Sequence, residues 1–471
     1  MATIAHAYGL HTEVERDAIA RAYRVFHTHH AQFVTAVSAE MLPDLHRDVD
    51  ERGARIVFLG RDGHPYATAV RGLDPDFAET HTVEIVLSRA VVDAALTDLE
   101  HRTGARFHAV EAFRVRDRID PATNLGAFQA LSDYLDDAGV PTAGGVLTFV
   151  DNSFKGTIQE LYNAAYPDVE VHGRYAIHGT HPDDPHPGNK TGYALHQPAD
   201  TRWRGYPLAE LPAEPELTLG AAEAVAAIEH TLHGPDTSPA AIDTTGPVQG
   251  PQRLQPAPLR GYNPALVTPP YRDARVREAV KVAALLAVHD AAVQARPRWT
   301  GPQAQQTQPE RMHAIAAIAE DIRAWITVAP QRDPGLTEVL DAFVRRRDRA
   351  LLSQIYDQLV VAGLDPAEPA QHWIALLPTT PEHSLPDHVD AGSARHDGPT
   401  PHEPPSFQTA MQHLRSAVDA ARRGIAADTQ EQTRTPATPA TRPPRRDTGT
   451  QVDPLQNRPD QDRPSGYDSG Y

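Results

Sequence analysis

Two short segments of the chain combine the pattern of a buried strand with residue types that bind anions and metals. Residues 55–60 (RIVFLG) and 146–150 (VLTFV) are apolar runs, and each leads into a loop that contains glycine. The loops, 61–64 (RDGH) and 151–157 (DNSFKGT), each supply an aspartate and a basic residue. Because open α/β sheets bind ligands beyond the carboxyl ends of their parallel strands, both loops are candidate binding sites.

The second loop predicts an anion site. Gly156 and Thr157 open a segment patterned as a helix, and the free N–H groups and positive dipole end at a helix start attract anions. Lys155 adds a positive charge, and Asp151 could hold a divalent metal or a sugar hydroxyl. Lysine occurs only at positions 155, 190 and 281, which favours a specific role for Lys155. The alternative is a tight turn in which Asp151 serves only as a cap.

The elements around these loops predict an α/β fold. Apolar residues recur at three- and four-residue steps over 13–45, which indicates one long amphipathic helix. Strand patterns then alternate with helical patterns, which predicts a parallel sheet flanked by helices and joined by right-handed crossovers. The predicted strands are 55–60, 83–87, 146–150 and 169–177. The segment 181–193 is rich in proline, glycine and aspartate and is predicted to be a loop.

Composition divides the remainder of the chain. Helical patterns return after residue 273, which predicts an all-helical unit, and proline-rich segments flank it. Beyond residue 381 the chain is rich in Pro, Thr, Asp, Arg and Gln, which predicts a disordered C-terminal tail. The predicted regions are an α/β domain with an N-terminal helix at 1–235, a Pro-rich linker at 236–272, a helical unit at 273–380, and a mostly disordered tail at 381–471 with a helix at 407–426.

Charge and cysteine content exclude several classes of protein. The net charge of -18 argues against binding to nucleic acid or to an anionic membrane, since both need a basic surface. The absence of cysteine excludes disulfides, thiolate metal sites and cysteine nucleophiles. The N-terminal residues lack the pattern of a signal peptide, and the most apolar stretch is too short to span a bilayer. These features lead us to expect a cytoplasmic protein, with a tail that could bind a protein partner.

Two other polar segments are weaker candidates for metal binding. The histidine cluster at 27–30 (HTHH) falls mostly off the apolar stripe of its helix, and a solvated face is the favoured interpretation. In the 181–193 segment, the spacing of histidine and aspartate could bind a metal, but its prolines favour a rigid exposed turn. The sequence at 188–191 (GNKT) is not a P-loop, because an asparagine separates glycine from lysine.

Three segments, taken together and in order, resemble an uncharacterised bacterial domain of predicted hydrolases in the haloacid dehalogenase (HAD) superfamily. They are 58–63 (FLGRDG), 86–89 (VLSR) and 150–159 (VDNSFKGTIQ), and the resemblance covers about residues 10–235. It implies a metal-dependent phosphohydrolase with Asp62 and Asp151 as catalytic residues and Asp151 as a ligand of Mg²⁺. The chain departs from the HAD pattern in having Gly60 and His64 and in lacking a lysine between Ser88 and Asp151.

The same loops also resemble those of type I phosphoribosyltransferases. In that family, one loop binds pyrophosphate, and a second, with two acidic residues, binds the ribose 5-phosphate. The 61–65 segment is similar to the first loop and 150–157 to the second, although Asn152 replaces one acidic residue. A third interpretation is a module that binds a phosphorylated ligand, or acts as a scaffold, without catalysis.

The two enzyme interpretations share one expectation: the phosphate of a small phosphorylated molecule binds between the 60–64 and 152–157 loops. The predicted phosphate-binding residues are Arg61, Gly63, Ser88, Arg89, Ser153, Lys155, Gly156 and Thr157.

Overall fold

The protein is described by a computed structural model that covers six ranges of the chain. They are residues 1–115, 124–197, 214–234, 238–248, 268–327 and 333–344. The predicted tail and its helix at 407–426 lie outside these ranges.

A five-stranded sheet, parallel throughout, forms the centre of the fold and confirms the predicted α/β class. Its strands are β1 (Arg55–Gly60), β2 (Thr82–Val86), β3 (Val146–Asp151), β4 (Glu170–Gly179) and β5 (Lys190–Gln197). Two further strands, β6 (Ala241–Asp243) and β7 (Gly246–Val248), form an antiparallel hairpin.

Twelve α-helices lie within the described residues. They are α1 (Ala2–Ala7), α2 (Glu13–Thr28), α3 (His30–Arg52), α4 (His64–Leu73), α5 (Pro75–His81), α6 (Arg89–Thr103), α7 (Ala127–Asp137), α8 (Thr157–Ala165), α9 (Ala222–Leu232), α10 (Ala274–Trp299), α11 (Gln308–Ile326) and α12 (Pro334–Phe343).

The strand order places a topological switch point between β1 and β3. The order is β2-β1-β3-β4-β5, so the chain leaves β1 first toward β2 and later returns to the opposite side with β3. Beyond the carboxyl ends of two such strands, the flanking loops diverge to opposite faces and open a crevice. The 61–64 and 151–157 loops follow these two strands. The topology therefore brings both predicted loops to the position where this class of sheet binds ligands.

Helices cover both faces of the sheet, as the β–α alternation predicts. Alternate residues of β1 point to opposite faces: Ile56 and Phe58 join one buried apolar cluster, and Val57 and Leu59 join the other. The second cluster includes α6, α7 and α8. The first includes α2, α3, α4 and the helices that follow residue 272. Because both faces are buried, the central strands can be apolar at almost every position.

The helices after residue 272 pack directly on the α/β layers. Helix α10 lies against α2, α3 and α4, and α11 lies against α3. Gly72 of α4 permits the close approach to α10, since a Cβ at that position would lie 2.6 Å from the Cβ of Ala292. The described helices of the predicted 273–380 unit therefore share an apolar core with the first 235 residues.

Two local expectations were wrong, and a third segment contains a hairpin that the sequence did not predict. The single helix predicted over 13–45 is two helices, α2 and α3, which meet at His29. The 181–193 segment is a loop only in its first part, because β5 begins at Lys190 and adds a fifth strand beside β4. Within the segment predicted as a linker at 236–272, residues 241–248 form the β6–β7 hairpin.

His29 joins the α2–α3 corner to the C-terminal helices. Its Nδ1 lies 2.8 Å from an Asp321 carboxylate oxygen, and its Nε2 lies 2.9 Å from one of Asp333. Both ring nitrogens can donate only in the imidazolium form. Burial lowers the pKa of His29, but the hydrogen bonds and charges of the two aspartates outweigh it and raise the pKa above the ordinary value. The expectation of a solvated histidine face does not hold at this position, where the side chain is 12% exposed.

We predict that His29→Gln lowers the free energy of unfolding by about 1–3 kcal/mol at pH 6 and by less at pH 9. A histidine with a raised folded pKa contributes its full stability below its unfolded pKa of about 6.5, and this stability is lost as the pH rises through the folded pKa. Urea unfolding of both proteins at the two pH values measures the difference. The exposed His101→Gln on α6 is the control. An equal loss at both pH values would show that His29 is not charged.

Candidate functional site

Most of the predicted site residues line one cavity. It has a volume of about 570 Å³ and lies beyond the carboxyl ends of β1, β2 and β3. Eight of the ten residues predicted from the sequence line it: Arg61, Asp62, Ser88, Arg89, Asp151, Ser153, Lys155 and Thr157. Glu229, His230 and Ser238, which were not predicted, also line this cavity.

The sheet register explains why the loops converge. Phe58 of β1 pairs with Val150 of β3, and Gly60 of β1 pairs with Val86 of β2. All three strands therefore end at the same level, and helices α4, α6 and α8 begin within a few residues of those ends. The starts of α6 and α8, at Arg89 and Thr157, border the cavity with their positive dipole ends. This arrangement suits a bound anion.

Gly63 and Gly156 shape the loops and are not among the residues that line the cavity. A Cβ at Gly63 would lie 2.6 Å from the carbonyl oxygen of Leu59, so glycine allows the loop to fold back onto β1. Gly156 has a φ of 70° and caps α8, and a Cβ there would lie 2.6 Å from Cε of Lys190. Both glycines are therefore explained by backbone geometry and close packing.

Three carboxylates act on one another inside the cavity. Burial raises the pKa of Asp62. Burial, followed by the charges of Asp62 and Glu229, raises the pKa of Asp151 well above its ordinary range. Glu229 is affected in the same way, because burial and the charge of Asp62 raise its pKa to about 7. Such mutual repulsion is relieved when a cation or a proton enters the cluster.

Basic groups surround the same carboxylates. The Nε atom of Arg61 lies 3.7 Å from a carboxylate oxygen of Asp62, and the positive charge of Arg61 lowers the pKa of Asp62. Arg89 is exposed at the start of α6, and its charge lowers the pKa of both Asp62 and Asp151. The cavity therefore contains a negative centre with a positive rim, which is the charge pattern that a metal-bound phosphate requires.

Lys155 and Ser88 line the cavity and also form hydrogen bonds that hold neighbouring segments together. The Nζ of Lys155 donates a hydrogen bond of 2.9 Å to the carbonyl oxygen of Ala112 and lies 4.8 Å from the centre of the Phe113 ring. The hydroxyl of Ser88 donates to the carbonyl oxygen of Pro239 at 2.7 Å and caps α6 by accepting from Val91. Both side chains border the cavity but also have structural roles.

His64, one of the residues at which the chain departs from the HAD pattern, has a structural partner. His64 is 5% exposed, and its Nδ1 lies 2.9 Å from Glu84 of β2, which also accepts from Arg71. Glu84 is ionised at neutral pH: burial raises its pKa, but His64 and Arg71 lower it to about 2. His64 therefore belongs to a network of hydrogen bonds with Glu84 and Arg71 beside β1, and it is not among the residues that line the cavity.

Asn152 is buried with its amide turned inward. Its Oδ1 accepts a hydrogen bond of 2.5 Å from the hydroxyl of Tyr66, and its Nδ2 donates one of 3.1 Å to Glu229. The residue is 1% exposed, so its side chain cannot reach a ribose hydroxyl in the cavity. In the phosphoribosyltransferase pattern this is the position of one of the two acidic residues.

Part of the 181–193 segment, which is rich in aspartate and histidine, has a structural role. Lys190, at the start of β5, is buried, and its Nζ donates to Glu160 and to both carboxylate oxygens of Asp184, the latter at 2.8 and 2.9 Å. His186 lies 2.7 Å from the other oxygen of Glu160. These contacts hold the loop before β5 against α8. They use Asp184 and His186, two of the four histidine and aspartate residues that the sequence offered as metal ligands.

The carboxylates of the cavity are compatible with Mg²⁺. Within the described residues, no group of three or more histidine, cysteine, aspartate and glutamate side chains is arranged to enclose a metal ion. Mg²⁺ does not require such a cage, since proteins usually bind it through one or two carboxylates while water and substrate phosphate complete its octahedron. Asp62 and Asp151 fit this requirement because both line the cavity, and burial raises the pKa of each despite the nearby positive charge of Arg89.

Glu229 could not be recognised from the sequence. It lies on α9, about 80 residues after β3, in a segment that reads only as an amphipathic helix. The one available signal is its position: it is three residues before Leu232 and one after Ile228, both of which are buried. A carboxylate on the apolar side of a helix needs a partner or a function.

Comparison of the chain with protein-family models, with curated proteins and with solved structures gives no match. Within the described residues, no helix is both long enough and apolar enough to cross a membrane.

We predict that Asp151→Asn raises the free energy of unfolding by about 1 kcal/mol at pH 7 in the presence of a chelator. A carboxyl group whose folded pKa exceeds its unfolded value of about 3.9 destabilises the fold once the pH rises above that value, and asparagine removes the charge. The backbone N–H of Asn152, which donates to Asp151 at 2.8 Å, can still donate to the new amide oxygen.

Chemical denaturation of the two proteins measures this change, with the exposed Asp137→Asn as a control that should have no effect. A loss of stability in Asp151→Asn would mean that the carboxylate is required by the fold, and would remove the argument for a cation site.

Proposed function

We propose that the protein is a Mg²⁺-dependent phosphohydrolase that acts on a small phosphorylated molecule. The observation that carries the proposal is the position of Asp62 and Asp151 together, beyond the ends of adjacent strands, in a cavity bordered by Arg61 and Arg89. Carboxylates that bind a metal and basic groups that bind phosphate oxygens are the two components that phosphoryl transfer requires.

The roles follow from the positions of the side chains. Asp62 and Asp151 hold the metal, which when bound offsets the charge on the phosphate oxygens and increases the electrophilicity of phosphorus. Arg61 and Arg89 bind the phosphate oxygens from the β1 and β2 loops. The N–H groups at the start of α8 and the ammonium of Lys155 contribute from the β3 loop.

The dimensions of the cavity suit a small substrate. Its volume of about 570 Å³ falls within the range of small-molecule pockets, roughly 300–1,000 Å³. Phe154 and Ile158 add apolar wall to the charged centre, and Ser238 adds a hydroxyl group. Such a wall would contact the part of the substrate that carries the phosphate.

Hydrolysis fits the cavity better than phosphoribosyl transfer. The latter uses a pair of acidic residues at the ribose, and the second position of that pair is Asn152, whose amide is committed to Tyr66 and Glu229. A module that binds without catalysis would keep the same phosphate contacts, so the experiment below separates it from an enzyme by turnover.

We predict that the purified protein hydrolyses p-nitrophenyl phosphate in the presence of Mg²⁺ and that a chelator abolishes the activity. Asp151→Asn should reduce kcat/KM by about 100-fold or more, because it removes a charged metal ligand. Release of nitrophenolate, followed by absorbance, measures the rate. Asp137→Asn, outside the cavity, should retain full activity. Binding of phosphate without turnover would indicate a binding module, and full activity in Asp151→Asn would exclude the proposed role of this residue.

We also predict that Arg89→Ala weakens the binding of inorganic phosphate by about tenfold in the presence of Mg²⁺, because a charge-assisted contact is lost. Stability should change by about 0.5 kcal/mol or less, since Arg89 is exposed. Titration calorimetry measures the affinity, and the exposed Arg106→Ala, three residues after the end of α6, is the matched control. An unchanged affinity in Arg89→Ala would remove this side chain from the phosphate site.

A further inference from the structure

Glu229 reaches the cavity from outside the sheet. It is carried by α9, which is anchored by its contacts with α10, α11 and α12, and it lines the same cavity as Asp62 and Asp151. The roles given above to the sheet-edge loops do not use it. A carboxylate held at this position therefore requires a separate explanation.

Hydrogen bonds fix the orientation of the Glu229 carboxyl group. Its Oε1 accepts from Nδ2 of Asn152 at 3.1 Å and from the hydroxyl of Ser153 in a shorter contact. Within the described residues, the hydrogen bonds to Glu229 all use Oε1. Its second oxygen, Oε2, accepts neither of these hydrogen bonds and is available to carry a proton. A carboxyl group with one oxygen anchored and the other directed at a substrate has the geometry of a proton donor.

The charges around Glu229 allow it to hold a proton near neutral pH. Burial and the negative charge of Asp62 raise its pKa to about 7, whereas Ser153, Asn152 and Arg61 lower it. Asp151 also repels it, from the end of β3, and Tyr66 faces it from α4. Burial is the largest of these effects, and it favours the protonated form whether or not a cation offsets the charge of Asp62.

We propose that Glu229 is the general acid of the phosphohydrolase, an inference that rests on the function proposed above. Water attacks phosphorus, a bond forms between the water oxygen and phosphorus, and the phosphorus–oxygen ester bond breaks. Glu229 gives its proton to the departing oxygen, so the alcohol leaves neutral. The attacking water releases a proton to solvent, and Glu229 regains one from solvent before the next turnover.

The test compares two substrates of similar shape, phenyl phosphate and p-nitrophenyl phosphate. Phenolate is the poorer leaving group and needs the proton more. We expect Glu229→Gln to lower kcat/KM by about 100-fold on phenyl phosphate and by no more than about tenfold on p-nitrophenyl phosphate. Glutamine keeps an oxygen for Ser153 and Asn152 but cannot donate the acid proton. Glu223→Gln, on the same helix but not among the residues lining the cavity, is the control.

Equal losses on both substrates would overturn the assignment of Glu229 and leave the phosphohydrolase proposal intact. If the wild-type protein hydrolyses neither substrate, both proposals fail.

A second variant tests the assignment without altering Glu229 itself. The Ser153 hydroxyl stabilises the ionised form of Glu229, so Ser153→Ala should raise its pKa and shift the alkaline limb of the kcat profile to higher pH. A general acid must be protonated, so activity falls as the pH rises through its pKa. The limb should be absent in Glu229→Gln. An alkaline limb that persists in Glu229→Gln, or that does not move in Ser153→Ala, would exclude Glu229 as the acid.

Discussion

Repulsion among carboxylates at one edge of the sheet is the constraint on which the site depends. Asp62 raises the pKa of Asp151 and of Glu229, Glu229 also raises that of Asp151, and burial raises the pKa of all three, so the fold disfavours the ionised form of each carboxyl group. Such an arrangement costs stability and persists where the surrounding fold is rigid enough to impose it. Here the rigidity comes from adjacent parallel strands with buried faces, and from an α9 helix packed against three others. A cation bound among the carboxylates would remove the cost.

Two networks of buried charges near the cavity behave in the opposite way, because their charged groups are paired. Arg114 is 2% exposed and donates to Asp93 and to Glu100 of α6, which holds the segment carrying Ala112 beside Lys155. Lys190 is paired with Glu160 and Asp184 beneath Gly156. These networks satisfy their charges and fix the walls of the cavity. The paired charges stabilise the walls of the cavity, whereas the repelling charges at its centre indicate the functional site.

The sequence predicted the parts of the site that follow from local pattern. Apolar runs that end in Asp- and Gly-containing loops identified β1 and β3, and sheet topology then required their loops to meet. Glu229 could not be found in this way, because its approach depends on how α9 packs, which no local pattern encodes. β5 was missed since its first residues follow a turn-rich loop. His29, at which the first long helix is interrupted, has partners some 300 residues away that no local pattern reveals.

The most direct test of whether Asp62 and Asp151 form a metal site is to locate a cation in the cavity. Crystals grown with Mn²⁺ and orthovanadate, which mimic Mg²⁺ and a phosphoryl group in transfer, should give anomalous density for the metal. We expect a single strong peak in contact with the carboxylates of Asp62 and Asp151, with vanadate between that peak and the start of α8. A cavity that remains free of metal and vanadate, or a metal bound away from both aspartates, would contradict it.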